Sequence, residues 1–240
     1  MLFNKRDIKK ILIVLLIIIG ISKLLQGNLI KELTIMLYTI PGLMLAISVH
    51  ESAHAFMAYK LGDETAKKEG RISLNPLKHI DPIGLLSLFI FKIGWGKPVE
   101  YNPAYIKVDD IKKAEAKIAL AGPASNFITA FILLLLVGVI SKFVPISTFS
   151  VILTQILYIA FTLNIGLGVF NLIPFPPLDG QKVFYKLYEG SFGQFVRDNQ
   201  IIINIVFLYL IMSGILGSII GPVIDQISYG MKYIVKLILG

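Results

Sequence analysis

Three residues within a run of five carry a complete piece of chemistry. His50, Glu51 and His54 stand in the order H-E-x-x-H. On an α-helix, residues four apart share a face, so the two imidazoles can converge on one ion. Glu51 lies beside them, where its carboxylate can take a proton from a water on that ion. Two His ligands and a Glu as general base are the donor set of a hydrolytic zinc site. With only 3 His in 240 residues, the pattern arises by chance in about one such chain in a thousand. The plainer alternative is a pair of helix-facing histidines hydrogen-bonded in a core.

A catalytic zinc site needs a third protein ligand, with the fourth position left to water. An acidic residue at membrane depth is costly and marks function, and Asp179 is the candidate. It follows an apolar helix that Pro174, Pro176 and Pro177 must break, so an unwound segment delivers its carboxylate. Asp179-Gly180 reads equally as a surface turn in which the Asp caps the next helix. His79, the remaining His, sits in a polar stretch and reads as a solvated or capping residue, not a ligand.

The elements that must position these residues are apolar. Hydrophobic residues make up 55% of the chain and charged ones 16%, against about 25% charged in soluble domains. Mean hydropathy is +0.77. The chain is therefore expected to be an all-α polytopic membrane protein of about six spans. It has no Cys, which excludes a disulfide framework, a thiolate metal site and a Cys nucleophile. The net charge of +8 does not point to nucleic acid. The basic residues gather at membrane-flanking positions, where they set orientation and meet anionic lipid.

Residues 8–26 are expected to form the first span. The basic cluster before them resembles the start of a signal peptide, but no small-x-small cleavage site follows. Residues 33–61 form the second, with a Pro41-Gly42 kink and the H-E-x-x-H in its second half. Residues 114–141, 149–170 and 201–220 form the third, fourth and fifth. Residues 182–199 are a polar, partly helical connector, and 223–239 are a sixth short span or an interfacial helix. Residues 62–113 differ, being rich in Gly, Pro and charge, with β-like pieces at 71–74 and 97–101. The apolar stretch between them, opened by Asp81-Pro82-Ile83-Gly84, ends near Phe91. It is too short to cross, so it reads as re-entrant or interfacial. The two β-like pieces offer an edge to an unwound substrate, or pair with each other as a small hairpin. With the N-terminus inside, the inner segments hold 18 Lys and Arg and the outer loops only Lys23, Lys31 and Lys142. That bias puts the N-terminus in the cytoplasm, with both His54 and Asp179 toward the cytoplasmic leaflet.

As a set these motifs resemble the site-2 protease family of intramembrane zinc metalloproteases, in its compact prokaryotic form. The residues that carry the likeness are His50, Glu51 and His54; Gly122, Pro123 and Asn126 of G-P-x-x-N; and Asn171, Pro177 and Asp179 of N-x-x-P-x-P-x-L-D-G. The stretch from Gly70 to Pro82 and Gly94-Trp-Gly-Lys-Pro98 add to it, so the likeness covers about residues 30–190. It implies one metalloprotease domain over 1–240, with a three-span core holding one Zn²⁺ on His50, His54 and Asp179. It further implies Glu51 as general base and regulated intramembrane proteolysis of single-span substrates in a prokaryotic cell membrane. There is no room for appended PDZ or CBS domains. Asn171 or Asn126 could donate to the oxyanion, although Asn126 reads equally as a helix-to-helix hydrogen bond. A metal transporter would need polar groups staged across the membrane, whereas these gather at one depth. A non-catalytic scaffold for membrane helices would have no need of Glu51.

Overall fold

The computed structural model describes residues 29–91, 94 and 96–240; the expected first span at 8–26 lies outside them. The described chain is helical. Helix α1 (Leu29–Lys60) leads into an inner segment holding the short helices α2 (Thr65–Lys68) and α3 (Pro82–Phe91). The long helices α4 (Ile111–Phe143) and α5 (Thr148–Asn171) follow. After them come α6 (Asp179–Val183), α7 (Gly190–Asp198), α8 (Gln200–Met212) and α9 (Ile215–Leu239). Among the described residues, three helical stretches are long and apolar enough to cross a membrane: Leu33–Lys60, Ile111–Phe143 and Thr148–Asn171. The 24 residues of the last already reach about 36 Å at 1.5 Å each, more than the hydrocarbon thickness.

Local chemistry fixes the ends of these helices. Asp110 caps α4 by accepting from the Lys113 N–H, and Ser147 and Ser150 form a capping box at the start of α5. Only four residues separate α4 from α5, so the two run as an antiparallel hairpin, and α1 packs against both. Small residues let the backbones close in, as interfaces between membrane helices require. A Cβ on Gly42 would fall 2.7 Å from the Ala160 Cα, and Ala46, Ala130 and Ala160 are all buried. Leu133, Leu134, Phe161, Ile165 and Val169 fill the remaining core between α4 and α5. The outer faces are apolar too, with Leu37, Ile128, Ile132 and Leu136 exposed, as lipid-facing helices are.

Two sequence expectations are corrected. The fifth span does not run unbroken over 201–220: α8 ends at Met212 and α9 begins after Gly214, which is left-handed at φ 78°. Among the described residues, a fourth crossing is made only if α7 and α8, which meet at an 85° bend, act as one broken span. The β-like pieces form no strand among the described residues. Residues 71–74 and 97–101 are irregular, and the pairing present is a single antiparallel bridge between Ile80 and Gly96. The Lys97 and Pro98 carbonyls are claimed by a buried side chain, described below, rather than by a ladder.

Candidate active site

Helix α1 presents His50 and His54 on one face, one turn apart, with ring centroids 4.6 Å apart and edge-to-face. Asp179 reaches them from the far side. Its Oδ2 lies 3.1 Å from His50 Nε2 and 3.1 Å from His54 Nε2. The proline-rich break after α5 makes this approach, because Pro174, Pro176 and Pro177 cannot continue a helical ladder. Asp179 then opens α6. Gly180 is required beside it: a Cβ there would fall 2.2 Å from the Ile173 carbonyl oxygen.

The far nitrogens of both rings are already committed. His54 Nδ1 lies 2.7 Å from the Ile118 carbonyl and therefore donates to it. His50 Nδ1 lies 2.7 Å from Asn126 Oδ1. Asn126 uses both amide protons, on the Ala46 carbonyl and on Asn164 Oδ1, while Asn164 Nδ2 donates to the Ala160 carbonyl. The chain of donors leaves Asn126 Oδ1 as the acceptor, so His50 Nδ1 carries the proton. Both Nε2 atoms then face the Asp179 carboxylate. Asp179 Oδ2 is buried and has no hydrogen-bond donor. Two imidazole nitrogens and a carboxylate oxygen, all within 4.8 Å of one another, suit a cation, and the His₂Asp set suits zinc. Gly122 permits the arrangement: a Cβ on it would lie 2.4 Å from His54 Nε2 and 2.7 Å from His50 Cε1. The G-P-x-x-N motif thus brings α4 against the ligands at Gly122 and fixes one of them from Asn126, a turn later.

These ligand atoms line the wall of a cavity of about 610 Å³, together with Glu51, Asn171 and Tyr101. Glu51 Oε2 accepts the backbone N–H of Val99 at 3.0 Å, which leaves Oε1 for a proton. Asn171, on the cavity wall, donates one amide proton to the Leu167 carbonyl in its own helix. Asn126 does not line the cavity; its contacts run between helices. His79 is not solvated. It is fully buried at the end of the turn Pro76–Lys78 and faces the Ser73 carbonyl through Nε2. Burial holds its pKa below the ordinary histidine value.

Sequence reasoning passed over three further residues. Asn164 carries the signal of a polar side chain inside an apolar span. Asp63, fully buried, joins two loops by accepting from Thr65 N at 2.9 Å and Asn102 N at 2.7 Å. Burial works to raise the Asp63 pKa, but the donors from Thr65 and Asn102 outweigh it and hold the carboxyl below its usual range. Tyr101, on the cavity wall with Lys182, donates to Glu115 and accepts from Lys182; burial first, then Glu115, push its pKa up. Nothing in the local sequence marks Tyr101 or Asp63.

Several known proteins are similar to this chain. A profile of peptidase family M50 matches residues 136–214, a stretch that holds Asn171 and Asp179. YwhC of Bacillus subtilis (strain 168) is 35% identical over 207 residues, which cover 85% of this chain and 92% of that one. Rip2 of Mycolicibacterium smegmatis is 33% identical over 150 residues, 61% of this chain and 55% of its own. MJ0392 of Methanocaldococcus jannaschii is 26% identical over 206 residues, 85% and 48% respectively. The chain thus spans about half the length of the latter two. All three bear names that class them as zinc metalloproteases. No solved structure matches the chain.

Proposed function

The chain belongs to peptidase family M50, the site-2 protease family of zinc metalloproteases, and on that premise we propose that it cleaves single-span membrane proteins within the bilayer, as a step of regulated intramembrane proteolysis. One observation carries this reading: the His50, His54 and Asp179 donor atoms converge at a cavity whose wall includes Glu51, among helices long enough to cross a membrane. His54 lies six residues from the end of α1, about 9 Å along the axis, so the cleavage depth is shallow. Substrate helices must unwind to expose an amide there, and the apolar lining of Ile47, Leu167 and Phe207 accepts apolar side chains.

In this reading His50, His54 and Asp179 hold the ion. Zinc would supply Lewis-acid polarisation of the scissile carbonyl and acidify a water toward neutrality. Glu51 takes the water proton on Oε1 while Val99 holds Oε2, then delivers that proton to the leaving amine. Asn171, with one amide proton unclaimed within its helix, donates to the tetrahedral oxyanion. Asn126 serves instead to orient His50. The chain works as one membrane-embedded domain, with its N-terminus in the cytoplasm and α3 as a re-entrant element. The 18-to-3 distribution of Lys and Arg supports that orientation. In a chain without Cys, a single Cys introduced at position 5 should resist an impermeant reagent on intact cells while one at position 28 reacts; the opposite pattern reverses the topology.

Glu51→Gln keeps shape and hydrogen bonding but cannot act as a base. The variant should bind zinc and co-purify with a single-span substrate, while cleavage falls by a factor on the order of 10² to 10⁴. Cleavage at the wild-type rate would defeat the mechanism.

A further inference from the structure

Beside the ligand cradle, the structure holds a buried cation that the mechanism above leaves unused. Arg71 is only 4% exposed, and no carboxylate pairs with it among the described residues. Its guanidinium is spent on backbone carbonyls: Nη1 donates to Lys78, and Nη2 donates to Lys97 and, at 2.9 Å, to Pro98. These carbonyls come from two segments on either side of α3. The turn ending at His79 and the strap 96–99 are joined a second time by Lys97 N–H to the His79 carbonyl at 2.7 Å. A buried charge of this kind is costly unless its planar fork is filled by well-placed acceptors. Three carbonyls fill the Nη1 and Nη2 side of the fork, and only the buried Nε is left without a partner.

The consequence lies in one peptide unit. The carbonyl of Pro98 and the N–H of Val99 belong to the same planar group and, in the trans form, point in opposite directions. Arg71 holds the carbonyl edge, and Glu51 Oε2 holds the N–H edge. Fixing one edge fixes the other, and a cation on the oxygen strengthens the N–H as a donor. We propose that Arg71 is a positioning residue for the general base. It clamps the Pro98–Val99 peptide so that the Val99 N–H pins one Glu51 oxygen and leaves the other to face the cavity. Pro98 and Val99 themselves line the cavity beside Glu51. The inference rests on the assignment of Glu51 as the base, and the test separates the two.

The experiment measures kcat and KM for cleavage of a single-span substrate in detergent. It uses wild type, Arg71→Lys, Glu51→Gln and the Arg71→Lys/Glu51→Gln pair, with zinc content and thermal unfolding of each. Lys keeps the charge but offers no planar fork. Arg71→Lys should lower kcat about 10-fold, with KM, zinc content and unfolding temperature close to wild type. On the residual activity of Glu51→Gln it should change nothing, because the residue acts only through Glu51. An equal loss in both backgrounds overturns the proposal, as does loss of zinc or of folding in Arg71→Lys. Val99→Pro provides a second arm: it deletes the N–H and leaves Arg71 in place, so kcat should fall at least as far. Wild-type kcat there also overturns it. Failure of the base assignment shows separately, as full cleavage by Glu51→Gln alone.

Discussion

The ligand cradle and the inner segment meet at Glu51 and are built on different principles. The cradle is made of side chains on long helices. His50 and His54 follow from helical periodicity, Gly122 from the closeness of α4, and Asn126 and Asn164 from the need to satisfy polar groups in an apolar interior. The inner segment, 62–110, has little regular structure and a small apolar cluster around Ala58, Ile106, Ala114 and Ile118. It holds its shape because buried polar side chains bond to loop backbone: Asp63 and Arg71 to groups distant in sequence, and His79 to the nearby Ser73 carbonyl. Packing sets the geometry of His50, His54 and Asp179; hydrogen bonds to loop backbone set Glu51 and the cavity wall. The two regions should therefore fail in different ways.

Gly122→Ala gives the sharpest break on the cradle side. Its Cβ would collide with both imidazoles, so zinc content should drop and turnover fall by a factor on the order of 10² or more. Metal analysis of purified protein reads the first effect. Normal zinc in this variant would show that α4 can retreat and that the cradle is softer than its packing suggests.

Asn126→Leu acts at one remove. It frees His50 Nδ1 from its acceptor and leaves Asn164 Oδ1 without a donor. Zinc affinity, measured by competition with a chelator, should fall about 10- to 100-fold, the usual range for a lost partner of a metal-bound His. The fold should survive. If Asn164→Leu causes no loss while Asn126→Leu does, the relay ends at Asn126.

On the other side, Asp63→Ala should leave zinc in place and loosen the inner segment. It strands the Thr65 and Asn102 N–H groups, a cost of about 1–3 kcal/mol. Limited proteolysis within 62–110 should accelerate before any metal is lost. Simultaneous loss of zinc would erase the distinction between the regions.

The smallest effect is a pH dependence. Burial lowers the pKa of His79 in the folded protein, so between about 6.5 and that lower value the unfolded chain binds more protons than the native one. Stability supplied by neutral His79 is full above about 6.5 and drains away as pH falls, at no more than about 1.4 kcal/mol per pH unit. Arg71, Lys78 and Glu51 face this ring. His79→Gln should flatten the acid slope of thermal unfolding between pH 6.5 and 5 relative to wild type; an unchanged slope assigns it to other groups.

What the sequence determined by itself is whatever depends on periodicity, composition or a breaker residue. Two His four apart on an apolar helix must share a face, and three prolines before Asp179 must end the helix that precedes it. Hydropathy alone marked the three long helices, because that signal is summed over twenty or more residues and does not depend on partners. The tertiary structure decided everything that rests on long-range pairing. Asn126 could donate to an oxyanion or join two helices, and only the positions of His50, Ala46 and Asn164 show how its three polar contacts are spent. The pieces at 71–74 and 97–101 carry residues fit for strands, yet a guanidinium takes the Lys97 and Pro98 carbonyls that a partner strand would use. His79 sits in a polar stretch, and neither its burial nor the link from Arg71 to Glu51 through one peptide group has any local signature. The reason is physical: hydrogen bonds are directional and satisfied one at a time, so their partners are fixed only when the chain has brought them together.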